Sequence, residues 1–406
     1  MSYRPLVAIL AGALAALAIW PAVAANRAPA VIATPAPLVR DYKTRDRLIA
    51  FYERQVRESP QDQIQMRLLA QQYMQRFREQ YDFNDVKRAE LYAARSIRLQ
   101  PQGNTSAQMT LASGLLSYHD FRGALVHERE AWRGEPTNAL ALAQIASLQM
   151  ELGRYQAARA TISRIPAGPA ENPGVDAVRA RFDELTGHLD EARVLIAAAS
   201  RSADSDVGDP AYDRAWYHMR AGQLAFEALD YAAAQSEYNV ALADFPSGAL
   251  TLMWEARLYL VEKDWRRALD AARESANLYP LPQALGYQAD AQRALGDAEG
   301  AAQTDALIGA EERIFDSQGI NDRLLANYYA ERRIHLDVAL RAALRDYQKR
   351  GDEVYADDTL AWVYAAMGRW ALARPYAERA IRTGIQDPDV RYHAWVILGK
   401  RKTDDR

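Results

Sequence analysis

Apolar residues in this chain recur at three- and four-residue steps over short blocks, each followed by a polar break and a second apolar face. The stretch from Gly248 to Pro280 shows the pattern. Leu252, Ala256 and Tyr259 line one face of a first helix, and Lys263-Asp264 interrupts it. Trp265 falls in the turn, Ala268, Ala272 and Ser275 line a second helix, and Pro280 ends the unit because proline cannot continue a helix. The block repeats. Ala89, Ala124, Ala158, Ala192, Ala234, Ala268, Ala301, Ala339 and Ala373 lie 35, 34, 34, 42, 34, 33, 38 and 34 residues apart. A period near 34 is the mark of stacked helix–turn–helix units. A small residue is needed where two helix backbones approach closely.

The surroundings of the alanines repeat as well. Phe121, Tyr155, Leu189, Tyr231, Trp265 and Trp370 stand three places before their alanines, as turn-packing residues. Gly153, Gly187, Gly296 and Gly368 close the preceding helices, and Pro101, Pro136, Pro246 and Pro280 stand twelve places after. These features predict an all-α chain of about nine helix-turn-helix repeats over residues 62–385. Leu48, Ile49, Tyr52 and Val56 predict an N-terminal capping helix within 40–61, and a second capping helix is expected at 386–400 before a polar tail at 401–406. Three irregularities predict inserted loops: Tyr81 to Val86, Ser200 to Pro210, and residues around Phe315 to Gly319.

This pattern resembles the tetratricopeptide repeat family, whose fold is a right-handed α-solenoid. The family's small residue late in the first helix is matched by Ala112, Ala146, Ala180, Gly222, Ala256, Ala289 and Ala361, while Asn327 departs from it. The family proline is missing after Ala158, Ala192, Ala301, Ala339 and Ala373, which softens those boundaries. Asp358 to Tyr364 with Gly368-Arg369-Trp370 is similar to the last repeats of bacterial members. The resemblance implies a concave groove that binds protein or peptide partners, lined by the first helix of each unit. On that face stand Trp216, Met219, Gln223 and Phe226, then Met253 and Arg257. Tyr328, Arg332, Tyr355 and Trp362 stand at matching places further on. Aromatic residues interleaved with arginine are the usual anchors of such grooves. The lysine-based clamp for a C-terminal carboxylate, used by some family members, is not matched here: its places hold Met109, Ala143, Ala177, Met219, Met253, Gly286, Leu324 and Asp358.

Composition adds an address. Arg4 precedes an apolar run from Leu6 to Trp20, and Pro21-Ala22-Val23-Ala24 offers a small-residue cleavage site. Residues 1–24 read as a secretory signal or an uncleaved anchor, and the proline-containing stretch 25–39 as an extended linker. The expected location is periplasmic or secreted, or tethered to the inner membrane with the repeats outside the cytoplasm. The chain has no cysteine, so no disulfide framework supports it. A net charge of −3 gives no nucleic-acid footprint.

No catalytic constellation is legible. The nucleophile-elbow, phosphate-loop and zinc-protease motifs are absent from the sequence. The six histidines are scattered, and Asp204, Asp206 and Asp209 lack the closing glutamate of a calcium loop. We therefore expect no metal and no cofactor. The leading expectation is a non-enzymatic scaffold. The alternatives are a cell-envelope glycan binder, a membrane-tethered assembly factor, or an enzyme built on Asp290, Arg293, Glu331 and Arg332.

Overall fold

A computed structural model describes residues 45–166, 172–206, 208, 210–316, 320 and 322–399. The proposed signal and linker, the start of the N-terminal cap and the polar tail lie outside the described residues. Among those described there are helices and no strands. Helix α1 (Arg45–Glu58) caps the first unit. The pairs then run α2 (Gln63–Gln80) with α3 (Phe83–Leu99), α4 (Thr105–Ser117) with α5 (Phe121–Gly134), and α6 (Ala139–Glu151) with α7 (Tyr155–Ile162). Next come α8 (Pro173–Leu185) with α9 (Leu189–Ser205), α10 (Ala211–Glu227) with α11 (Tyr231–Asp244), and α12 (Ala249–Glu262) with α13 (Trp265–Leu278). The last pairs are α14 (Pro282–Ala294) with α15 (Ala298–Asp316), α16 (Asp322–Arg332) with α17 (Leu336–Arg350), and α18 (Val354–Ala366) with α19 (Trp370–Ala380). A single helix, α20 (Pro388–Gly399), follows. The expected nine units and both capping helices are present.

The nine repeat alanines are all buried where the second helix meets the first. Gly222 shows how close that approach is, because a Cβ there would strike the Tyr238 ring. The turn between paired helices has its own chemistry. Asp120, Asp230, Asp264 and Asp297, each four residues before a repeat alanine, accept a hydrogen bond from the backbone N–H three residues on, at 2.9–3.2 Å. This is the N-cap contact that satisfies a free donor of the new helix. The residue just before the cap is left-handed, whether it is glycine (Gly153, Gly187, Gly296, Gly368) or not (His119, Leu229, Lys263).

Two expected loops are corrected. The extra residues of the first unit are taken up by a long α2 and α3, with only Tyr81, left-handed at φ 60, and the capping Asp82 between them. Residues 200–205 continue α9. Of the third irregularity, Phe315 and Asp316 belong to α15, and 317–319 lie outside the described residues.

The first helices of the pairs form an inner layer and are buried nearly all round, as α6 and α10 show. The second helices bury one face only. In a simple repeat array each unit touches only its neighbours. Here the solenoid coils until late units meet early ones. The Tyr155 hydroxyl accepts from the Val354 N–H at 3.0 Å, and the rings of Tyr81 and Tyr279 stack 4.5 Å apart. A Cβ on Gly187 would collide with the Gly384 carbonyl, and Gly153 packs as tightly on the backbone at Asp352. Both glycines therefore serve a helix end and a seam between distant units.

Candidate functional site

The ten residues expected to line an open groove do stand on inner helices: α10, α12, α16 and α18. They do not form an exposed surface. Trp216, Met219, Gln223, Phe226, Met253, Arg257, Tyr328 and Tyr355 are buried, and Arg332 and Trp362 are largely covered. The reason is the coiling, which brings partners from other units onto the face that a shallower solenoid would leave to solvent.

Arg257 illustrates the change. Its guanidinium lies over the rings of Phe226 and Trp254, at 4.5 and 5.0 Å, and bonds Asp389 of α20 at 2.8 Å, 132 residues away. Tyr355 is held between Arg181 and Arg323, whose guanidinium carbons are 5.2 and 5.6 Å from its centroid. Its hydroxyl donates to Asp387 at 3.4 Å. Trp362 stacks on His393 at 4.0 Å, and His393 in turn pairs with Asp358 at 3.0 Å. Met219, Met253 and Trp216 pack into one apolar cluster with Tyr287 and Leu324. Gln223 accepts a hydrogen bond from Arg220.

Two further charged clasps were not legible in the sequence. Arg350, wholly buried, bonds Asp346 at 2.9 Å on its own helix and Glu151 across the seam. Asp213 receives Gln75 at 3.4 Å and lies 3.7 Å from Arg78. Ion pairs in such surroundings carry a large desolvation cost, which shows in the carboxylates. Burial, with the neighbouring Asp389, pushes Asp387 up to about 7. Burial pushes Glu331 up to about 8 and Asp213 to about 6 against the pull of their arginines. Burial pulls His393 down most strongly, but Asp358, Asp389 and Glu331 together outweigh it, and the net shift is upward.

Asp290, Arg293, Glu331 and Arg332 do come together. Arg332 and Arg293 both bond Asp290 at 2.6 Å, and Arg332 lies 3.4 Å from Glu331. The cavity beside them, between Gln283, Tyr287 and Tyr328, holds about 10 Å³, the scale of one water molecule. Both arginines converge on Asp290, around a space too small for a substrate. Among the described residues no group of three or more His, Cys, Asp or Glu could hold a metal. Asp204 lies in α9 and faces His218 at 3.2 Å, rather than forming part of a calcium loop. Asp209 lies outside the described residues.

Residues 115–182 match the model of the tetratricopeptide repeat family. No curated protein matches the chain in sequence. Among solved structures, a monomeric mutant of IFIT1 with Gppp-AAAA aligns at TM-score 0.50 and 14% identity, over 84% of this chain and 76% of that one. A chain of the APC/C hetero-tetramer Cut9-Hcn1 aligns at TM-score 0.48 and 14% identity over 83% of this chain, which spans 64% of that one's length. PilW, a type IV pilus biogenesis factor, aligns at TM-score 0.42 and 18% identity, over 51% of this chain and 92% of that one. The described chain is an α-solenoid of paired helices, and its residues 115–182 are similar to the tetratricopeptide repeat family, whose fold is consistent with protein–protein interaction.

Proposed function

We propose that this protein is an exported, non-catalytic scaffold that binds a protein partner on the outer face of its solenoid. One observation carries the reading: the inner face is already occupied by the chain's own arginines, carboxylates and aromatic rings. An inner groove would have to break these buried pairs before it could bind, and removing one partner of such a pair costs about 3–5 kcal/mol. The outer layer is free of that cost. Leu91, Val126 and Val194 stand two residues after their repeat alanines on α3, α5 and α9, and all three are exposed, Val126 by 55% and Val194 by 68%. The same register on α3, α5 and α9, with the small exposed Ala160 at that place on α7 between them, makes an apolar row, and a rigid preformed surface binds without paying for its own ordering. The exported address rests on the Leu6–Trp20 run and the cleavage-like Ala22-Val23-Ala24.

Crosslinking capture from envelope extract tests this reading with wild type and a Val126→Glu/Val194→Glu variant. Both positions are exposed, so the variant keeps the wild-type helical signal and melting curve. We expect the captured protein to be lost. Undiminished capture by the folded variant would move the binding face elsewhere and overturn the outer-row reading.

A further inference from the structure

A cleft of about 580 Å³ opens where three distant segments meet: the turn into α9, the end of α10, and the stretch that enters α20. The volume is on the scale of sites that hold small organic groups. Leu189, Leu229 and Pro388 give the cleft apolar walls, and Asp190 and Glu191 stand exposed at its rim.

Glu227 forms part of the inner wall and is only 6% exposed. Two carboxylates near it already have partners. Glu184 takes Arg181 and Arg220, the latter at 2.6 Å. Asp387 accepts from the Asp389 and Val390 N–H groups at 2.8 and 3.1 Å. No described residue bonds the Glu227 carboxyl. Burial, with Glu184 and Asp387 nearby, holds that carboxyl well above the ordinary carboxylate range, against the pull of Arg220 and Arg181. A buried acceptor of this kind is costly until something supplies it with donors. Arg391, the cation among the lining residues, donates instead to Gln386 at 2.6 Å.

We propose that this cleft binds a primary ammonium group on an alkyl stem, with Glu227 as its inner acceptor. An ammonium carries three donors, enough for both Glu227 oxygens and one further acceptor. The stem covers Leu189, Leu229 and Pro388, as lysine stems cover apolar surface elsewhere. A metal ion would leave those walls bare, and among the described residues no three His, Cys, Asp or Glu gather to hold one. An anion would meet Asp190, Glu191 and Glu227 and be repelled. The same ammonium chemistry is offered by an aliphatic polyamine and by a lysine of a bound protein. Small amines need none of Leu91, Val126 and Val194, so the site stands or falls apart from the outer apolar row.

Titration calorimetry of the full chain with n-butylammonium chloride tests the site, and spermidine and the peptide acetyl-Gly-Lys-Gly-amide separate its two sources. We expect saturable binding of n-butylammonium. Glu227→Gln keeps the side chain's shape and should weaken that binding by roughly ten-fold or more, as loss of a buried charge partner does. Asp190→Lys/Glu191→Lys changes exposed positions only, leaves the helical signal intact and should weaken it as well. Tighter binding of spermidine than of the peptide would assign the site to a polyamine, and the reverse order to a lysine side chain. Three outcomes would overturn the proposal: no saturable binding of any of the three amines, an affinity indifferent to Glu227→Gln in a folded protein, or an affinity indifferent to Asp190→Lys/Glu191→Lys.

Discussion

At the residue scale, the turn that joins paired helices depends on two consecutive positions. An aspartate caps the new helix in five units, and the residue before the cap is left-handed in eight. A non-glycine residue in that conformation carries a steric cost of roughly 1–2 kcal/mol, while glycine avoids it and loses part of the gain to unfolded-state entropy. Lys263 is left-handed at φ 63 and exposed. Lys263→Gly should therefore raise stability by roughly 0.5–1 kcal/mol, read as a higher melting temperature. The glycines Gly153, Gly187, Gly296 and Gly368 were visible in the sequence as helix ends. That His119, Leu229 and Lys263 adopt the same conformation was not, because their side chains give no sign of it. The spacing to the repeat alanine was the available signal.

At the element scale, seven of the nine pairs are locked by small residues facing one another, and Ala268 and Ala256 are both fully buried. Ser275, on the same face as Ala268, donates to the Ala249 carbonyl at 2.7 Å and ties the end of α13 to the start of α12. Ser96 does the same for α3 and α2 through the Gln63 carbonyl. Ala268→Leu should force the helices of this unit apart and cost roughly 1–3 kcal/mol by overpacking, measured by urea unfolding. An unchanged unfolding midpoint would contradict the register. The pairs were legible because a 34-residue period and a small-residue face are local properties. The supposed insertions were misread for the same reason: extra residues with helical propensity lengthen α2, α3 and α9 instead of leaving as loops.

At the scale of the whole molecule, buried ion pairs between distant units make the solenoid one closed body, and they give it a pH dependence. The carboxyls of Asp387 and Glu331 are held at about 7 and about 8, well above the ordinary carboxylate range. The folded chain therefore keeps protons that the unfolded chain releases, so stability falls as pH rises from the carboxylate range to those values and levels off above them. His393, also raised, adds stability below its ordinary value that is lost as pH climbs through the folded one. The melting temperature should fall between about pH 5 and about pH 8. Asp387→Asn keeps an acceptor for the Asp389 and Val390 N–H groups and should flatten that slope. A melting temperature that rises across this interval would show that these carboxyls are ionised in the folded protein.

The sequence by itself determined the helices, their pairing and the layer each belongs to, because these follow from short-range periodicity and from side-chain size at close backbone contacts. It also placed the ten inner-face residues on the correct helices. Only the tertiary structure decided what that face meets. Arg257 and Asp389 stand 132 residues apart, and Glu151 and Arg350 stand 199 apart. No local pattern encodes such contacts, since they arise from the small rotation of each unit on the next, summed over the stack. That accumulated rotation turned an expected open groove into a filled interior.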